Sequence, residues 1–375
     1  MWNNHNLIQT YIRPIVGVLI KKNHADKLLQ KQKPLAKQIE LVKANKKAKV
    51  TLYFFSTSDL TETTVKGIFF NKDAGIWETQ RFPYPDVIYK LYGTKKEPGL
   101  NRNFLTQLQE RKIQTINYLF TFNKWEVYKQ LAKYEDAAPH LPFTIYYNTP
   151  DDLRRMLSLY DKVYLKACQS SLGKGVICIS SLAKGGYEYR FYTNKFRVSK
   201  VDTFDRLVHE VQKFFKNKGF IIQQAIDLIK IDKSIVDMRA ELQRDCDGDI
   251  IIAALPVCFS NSNAHITTHA TAFQFEYFFL NFMKYSAAEI ADFKNRIRDF
   301  LKTLYGYIEN SYGPSGELSI DIGLDKKGCL WFIECNSVSS KVSFYRAYDR
   351  SDISRSYVNI LEYAKFLFRN NTMSH

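Results

Sequence analysis

Residues 320–336 combine the side chains best suited to chemistry: Ile320-Asp321-Ile322-Gly323-Leu324-Asp325, a turn at Lys326-Lys327-Gly328, then Cys329-Leu330-Trp331-Phe332-Ile333-Glu334-Cys335-Asn336. Side chains alternate along a strand, so Glu334 and Asn336 project from one face and Cys335 from the other. A two-residue turn at Lys327-Gly328 places Asp321 opposite Glu334, a repulsive meeting unless a positive charge lies between them. Two carboxylates and an amide oxygen are hard donors of the kind that hold Mg2+ together with nucleotide phosphates. The competing reading is a surface hairpin with solvated acids.

A second candidate is Cys168-Gln169-Ser170-Ser171-Leu172-Gly173-Lys174-Gly175-Val176, which joins two strand-like runs. Gly173 and Gly175 let backbone N–H groups close on an anion, and Ser170 and Ser171 add hydroxyl donors. Walker A spacing and its following helix are absent; a flexible hairpin turn is the alternative. Lys166 ends the otherwise apolar run Tyr164-Leu165-Lys166-Ala167, where an ammonium is costly to bury without an anion, and phosphate is a natural partner. Residues 219–227 read as a buried strand ending in the amides Gln223 and Gln224, whose extended backbone suits an adenine edge; a plain core strand is the alternative. Along 234–242, Asp237, Arg239 and Glu241 share one face against the apolar Val236, Met238, Ala240 and Leu242. An arginine fixed there suits phosphate oxygens, unless the face is merely solvated.

These groups need a large scaffold. With 375 residues, 45% of them hydrophobic and 15% aromatic, the chain can bury a large core and divide into two or three domains. No run reaches the roughly 20 apolar residues of a membrane span, and Met1-Trp2-Asn3-Asn4-His5-Asn6 does not resemble a secretory signal, so a cytoplasmic protein is expected. The six cysteines form no CxxC pair and read as reduced core or strand residues. A net charge of +16 draws the chain toward acidic partners. The lysines are dispersed, however, no nucleic-acid motif accompanies them, and the cluster at 43–49 reads as a solvated helix end. Nucleic acid is therefore not an expected partner.

Residues 14–20 form a continuous apolar run typical of a strand in a parallel sheet. A helix-prone stretch follows at 26–48, then a strand at 50–55, a hairpin at 65–78, a further strand near 87–89, a helix at 102–111 and a short strand near 115–118. This order predicts an open α/β domain. Asn123 caps a helix over 124–132. A strand at 143–147, a helix opened by Thr149-Pro150, and a strand at 163–167 come next.

Taken in order, Asn123-Lys124-Trp125, Tyr164-Leu165-Lys166, the Ser170 to Val176 run, Ile221-Ile222-Gln223-Gln224-Ala225-Ile226, Asp237-Met238-Arg239, and Asp321 with Glu334-Cys335-Asn336 resemble the ATP-grasp superfamily. The segments Arg13-Pro14-Ile15-Val16-Gly17, Phe82-Pro83-Tyr84-Pro85-Asp86-Val87 and Gly316-Glu317-Leu318-Ser319-Ile320-Asp321 resemble, more narrowly, the YheC/YheD group of endospore coat-associated ATP-grasp proteins. The resemblance implies an α/β fold: an N-terminal open α/β domain over 1–122, an ATP-grasp lid subdomain over 123–228 and a metal-binding subdomain over 229–375, with two antiparallel sheets clamping the nucleotide. It implies ATP and Mg2+ as cofactors. Lys124 and Lys166 hold phosphates and the 171–175 loop folds over them. The Gln224 and Ile226 backbone meets adenine, Asp237 joins the nucleotide contacts, and Asp321, Glu334 and Asn336 bind the metal.

The implied reaction activates a carboxylate as an acyl phosphate for attack by an amine, with Lys166 and Arg239 in catalytic positions. A small-molecule, peptide or anionic polymer acceptor is expected, with spore-coat proteins as partners. The alternative is a coat-associated structural or binding protein with little turnover. Two departures stand out. Ser337-Val338-Ser339-Ser340-Lys341 replaces the Pro-Gly turn of many ligases, and Ser319 stands where D-alanine-type ligases carry arginine, making Arg239 the candidate for that charge. Residues 260–271, with His265 and His269, form a polar segment suited to line the acceptor site.

Overall fold

The computed structural model describes residues 13–91, 102–119, 121–170, 175–193, 195–232, 234–259 and 271–373. Three sheets follow one another along the chain.

The first sheet has the spatial order Ile76–Phe82, Val65–Asn71, Thr51–Phe55, Ile15–Leu19, Val87–Lys90, Gln114–Thr115. Ile15–Leu19 lies at its centre with parallel neighbours on both sides, which is why its sequence is apolar throughout. Val16 and Val18 enter one core with Leu28 and Leu41, while Leu19 enters another with Tyr53, Phe55 and Phe104 on the opposite face. A Cβ on Gly17 would meet Phe55 and Pro85 at 2.9 Å, so only glycine fits this crossing. The helix-prone stretch is in fact two helices, Lys22–Lys31 and Ala36–Ala48. Gln32 turns left-handed at φ 50° and Pro34 follows, which ends the first helix because proline cannot continue its hydrogen-bond ladder. Lys46, Lys47 and Lys49 are exposed at the end of the second, as the lysine cluster suggested.

Six antiparallel strands make the second sheet, in the order Phe196–Val201, Tyr187–Tyr192, Val176–Ser181, Lys162–Ala167, Phe220–Gln224, Thr144–Tyr146. Val163, Leu165, Ile177 and Ile222 bury one face against helices Pro150–Leu159 and Phe204–Phe215. Alternation then puts Tyr164, Lys166, Cys178 and Gln223 on the other face.

The third sheet runs Thr271–Phe273, Val257–Phe259, Ser234–Arg244, Glu317–Leu324, Leu330–Asn336, again antiparallel, with Ile250–Ala254 also pairing Ser234–Arg244. Its apolar face, with Met238, Leu242, Leu318, Ile320, Ile322 and Phe332, packs on the long helix Ala287–Tyr312 and on Lys124–Leu131. Burying each such side chain contributes about 1.5–3 kcal/mol. The C-terminal helix Arg350–Met373 returns to the start of the chain, where Tyr357, Ile360, Leu361 and Ala364 share a core with Val16, Val18 and Leu41. No helix among the described residues is long and apolar enough to cross a membrane. All six cysteines are free; Cys246 and Cys329 are exposed and the other four buried.

Candidate functional site

Asp321 does pair with Glu334, but by a different route from the expected two-residue turn. Leu324 pairs with Leu330, so residues 325–329 form the connection. There the Asp325 carboxylate accepts from the Lys327 and Cys329 backbone N–H groups at 2.9 and 2.8 Å, and Gly328 supplies φ 82°. That register alone would set Asp321 against Ile333. A bulge at Ile333 inserts one residue between the Ile322–Phe332 and Asp321–Glu334 pairs. Leu330, Phe332 and Cys335 therefore face the core, and Glu334 and Asn336 emerge together on the polar face.

Strand Ser234–Arg244 extends this face. Arg239 lies opposite Asp321, Glu241 opposite Ser319, and Gln243 opposite Glu317. The Arg239 guanidinium donates from Nη1 to Asp321 Oδ2 at 3.1 Å and from Nη2 to Ser319 Oγ at 3.0 Å. Asp237 is on the same face of the strand, two residues from Arg239, opposite Cys258.

The two predicted phosphate lysines reach the acidic pair from other elements. Asn123 caps helix Lys124–Leu131 by accepting from Trp125 N at 3.0 Å, which fixes Lys124 in the first turn. Its ammonium sits 3.1 Å from Glu334 Oε2 and donates to the Ser170 carbonyl at 3.3 Å. Burial lowers the Lys124 pKa, yet Glu334 outweighs it and the net shift is upward. Lys166 is buried and donates to Gln223 Oε1 at 2.6 Å. Burial, opposed in part by Glu334, pushes its pKa down to about 8. Across the acidic pair, burial raises both carboxyls; Lys124, Lys166 and Arg239 reverse this at Glu334, which ends below the usual range, while Asp321 stays raised.

The remaining predicted residues divide. The Gln223 side chain accepts from Lys166 and donates to Thr144 Oγ1 at 2.9 Å. The Gln224 N–H is already used by the Phe143 carbonyl at 2.9 Å. Ser170 folds back under Gly175, where a Cβ would meet Ser170 at 2.7 Å. Ser171 and Gly173 lie outside the described residues, as do His265 and His269.

Lys124, Lys166, Arg239, Asp321, Glu334 and Asn336 thus form one polar constellation between the second and third sheets. No group of three or more His, Cys, Asp or Glu side chains that could hold a metal occurs among the described residues, so the candidate donor set is two carboxylates and an amide. Asp321 Oδ1 is buried without a hydrogen-bond partner, and an orphaned carboxylate oxygen in that position fits a hard cation. Lys37, Glu317, Ser339 and Lys341 crowd the far end of the polar face; the sequence assigned none of them a role, Ser339 and Lys341 entering only as part of the segment that replaces the Pro-Gly turn. Glu317 was legible, being in phase with Ser319 and Asp321; Lys37, in an exposed-looking helix, carried no signal.

The description YheC/D like ATP-grasp matches residues 112–367. Endospore coat-associated protein YheD of Bacillus subtilis (strain 168) is 27% identical over 281 residues, covering 74% of this chain and 61% of that protein. The chain therefore aligns with less than two thirds of that relative. VanG D-Ala:D-Ser ligase from Enterococcus faecalis superposes with a TM-score of 0.53 at 11% identity, covering 95% of this chain and 99% of that one. The ATP-grasp ligase PsnB, solved with a minimal-precursor variant, Mg and ADP, gives 0.51 at 11% identity, covering 92% and 98%. At such identities the likeness establishes the fold, an N-terminal α/β unit followed by the two antiparallel sheets of ATP-grasp proteins. With the family match spanning more than half its residues, the chain belongs to the YheC/D-like ATP-grasp family.

Proposed function

We propose that the chain is an ATP- and Mg2+-dependent ligase that activates a carboxylate as an acyl phosphate for attack by an amine. One observation carries this reading: Lys124, from the helix packed on the third sheet, and Lys166, from the second sheet, converge on Asp321 and Glu334, and Asp321 Oδ1 is buried without a hydrogen-bond partner. In this reading Asp321, Glu334 and Asn336 hold Mg2+, which when bound supplies charge neutralisation for phosphoryl transfer. Lys124 and Lys166 bind phosphate oxygens, and Ser170, Ser171, Gly173 and Gly175 close over them. The Gln224 carbonyl and the Ile226 backbone take the adenine edge. Asp237 flanks the nucleotide, and Arg239 orients the transferring group. Gln223 acts through Lys166, aiming its ammonium. The domains divide near 122 and 228.

PsnB, by its description, is an ATP-grasp ligase complexed with a phosphomimetic variant of a minimal precursor, Mg and ADP; a peptide acceptor suits a cleft of this kind, as does a small molecule or an anionic polymer. YheD is described as endospore coat-associated, which supports a location in the cytoplasm or at the spore coat for this chain, with coat proteins as partners. A binding role with little turnover is favoured by one feature: Ser339 and Lys341 are fully buried where an acceptor would enter. ADP and phosphate release across amino acids, peptides and anionic polymers decides between them; Mg-ATP binding without release under any acceptor would leave the binding role.

A further inference from the structure

Beyond Arg239, the polar face of the third sheet holds two more carboxylates, Glu241 and Glu317, fully or almost fully buried. Residues 337–341 lie over them. Lys341 Nζ is 2.8 Å from Glu317 Oε2 and 3.8 Å from Glu241 Oε2, and the aromatic rings of Phe344 and Tyr357 stand 5.8 and 5.7 Å from it. Two carboxylates and two ring faces around one nitrogen form a cage for a primary ammonium. Glu241 Oε1 accepts from Ser339 Oγ at 2.5 Å, while its Oε2 is buried with no hydrogen-bond partner. Lys341 reaches the cage in the left-handed region at φ 56°, ψ 16°, which residues other than glycine adopt uncommonly.

We propose that the Glu241–Glu317 cage is the acceptor-ammonium site of this chain and that Lys341 is its intrachain occupant, displaced when an amine acceptor binds. The inference rests on the ligase reading above and names the chemical class of its second substrate. Charge supports it. Lys341 is ion-paired with Glu317 and lies near Glu241, and Lys37 joins them from helix Ala36–Ala48 by donating to the Ser339 carbonyl. Removing Lys341 without a cationic replacement would leave two buried carboxylates undercompensated. The incoming group is therefore a primary ammonium, whatever the charge of the molecule that carries it. Register locates it well: Glu241 is two residues along the strand from Arg239, on the same face, adjacent to the proposed phosphoryl-transfer site.

The probe is n-propylammonium chloride, which matches the atoms that Lys341→Ala deletes. Lys341→Ala should lower Tm, and propylammonium should restore it saturably, whereas propionate or sodium chloride at equal ionic strength should not. Adding Glu241→Gln should abolish the rescue. A fixed structural lysine would also be rescued, so the deciding measurement uses the wild-type protein: propylammonium should accelerate hydrogen exchange at the amides of residues 339–345, and this readout stands even if Lys341→Ala does not fold. Unchanged wild-type exchange overturns the proposal. An amine response with no Mg-ATP stabilisation overturns the acceptor role and the ligase reading together; Mg-ATP stabilisation with no amine response overturns the cage alone.

Discussion

The Lys124 ammonium lies 3.1 Å from Glu334 Oε2, bridging a helix that follows the first sheet and the last strand of the third. A side-chain cation therefore stands beside a carboxylate proposed to bind Mg2+. Mg-ATP should raise Tm, since a ligand bound only by the native state stabilises it by RT ln(1 + [L]/Kd), about 2.7 kcal/mol at a hundredfold excess over Kd. Glu334→Gln should shrink that rise in a thermal-shift titration. A full-sized rise in the folded variant would remove Glu334 from the site.

Lys166→Met keeps the apolar stem and deletes the charge, so nucleotide affinity should fall while the fold persists. Isothermal titration with Mg-ATP measures it. Equal affinities would leave Lys166 as a buried lysine satisfied by Gln223.

The same lysine sets a pH dependence. Its folded pKa is pushed down to about 8 from 10.5, so the native protein loses this proton as pH rises through 8 while the unfolded chain keeps it until about 10.5. Between these values the group's contribution to apo stability increases with pH. Phosphate binding needs the charged form, so Mg-ATP affinity should weaken above pH 8, by at most about tenfold per pH unit for one proton. Lys166→Met should flatten that part of the profile; a slope surviving in the variant would assign it elsewhere.

Gln223→Leu removes the acceptor of the 2.6 Å bond from Lys166 and the donor to Thr144. Leaving a buried ammonium without its partner should cost about 1–3 kcal/mol in urea denaturation and weaken nucleotide binding. Gln224→Leu, at a half-buried position where Oε1 accepts from the Phe143 N–H, should affect the lysine far less. Equal effects on Mg-ATP affinity would mean that Gln223 does not aim Lys166.

The +16 charge predicts electrostatic steering of an acceptor that is anionic overall, even if it presents an ammonium to the cage. With saturating ATP, raising ionic strength should raise the acceptor KM and leave kcat nearly constant. A flat KM would make the charge a solubility or assembly property.

Local periodicity made much of this protein readable in its residues. Alternation along 234–242 placed Asp237, Arg239 and Glu241 on one face and Met238 in the core, because side-chain direction in a strand depends only on position parity. Asn123 announced its helix because a cap is satisfied within three residues. Non-local pairing decided the rest. Parity alone, carried from Leu330 and Phe332, would have buried Glu334; the bulge at Ile333 reverses it, and a bulge is set by packing against a partner strand. Nothing near Arg239 indicated that Asp321, 82 residues away, would be its neighbour. Lys37 and Lys341 came last into view, since a lysine's burial depends on which distant carboxylates the tertiary fold brings to it, and here Glu241 and Glu317 come from two strands that only the third sheet places side by side.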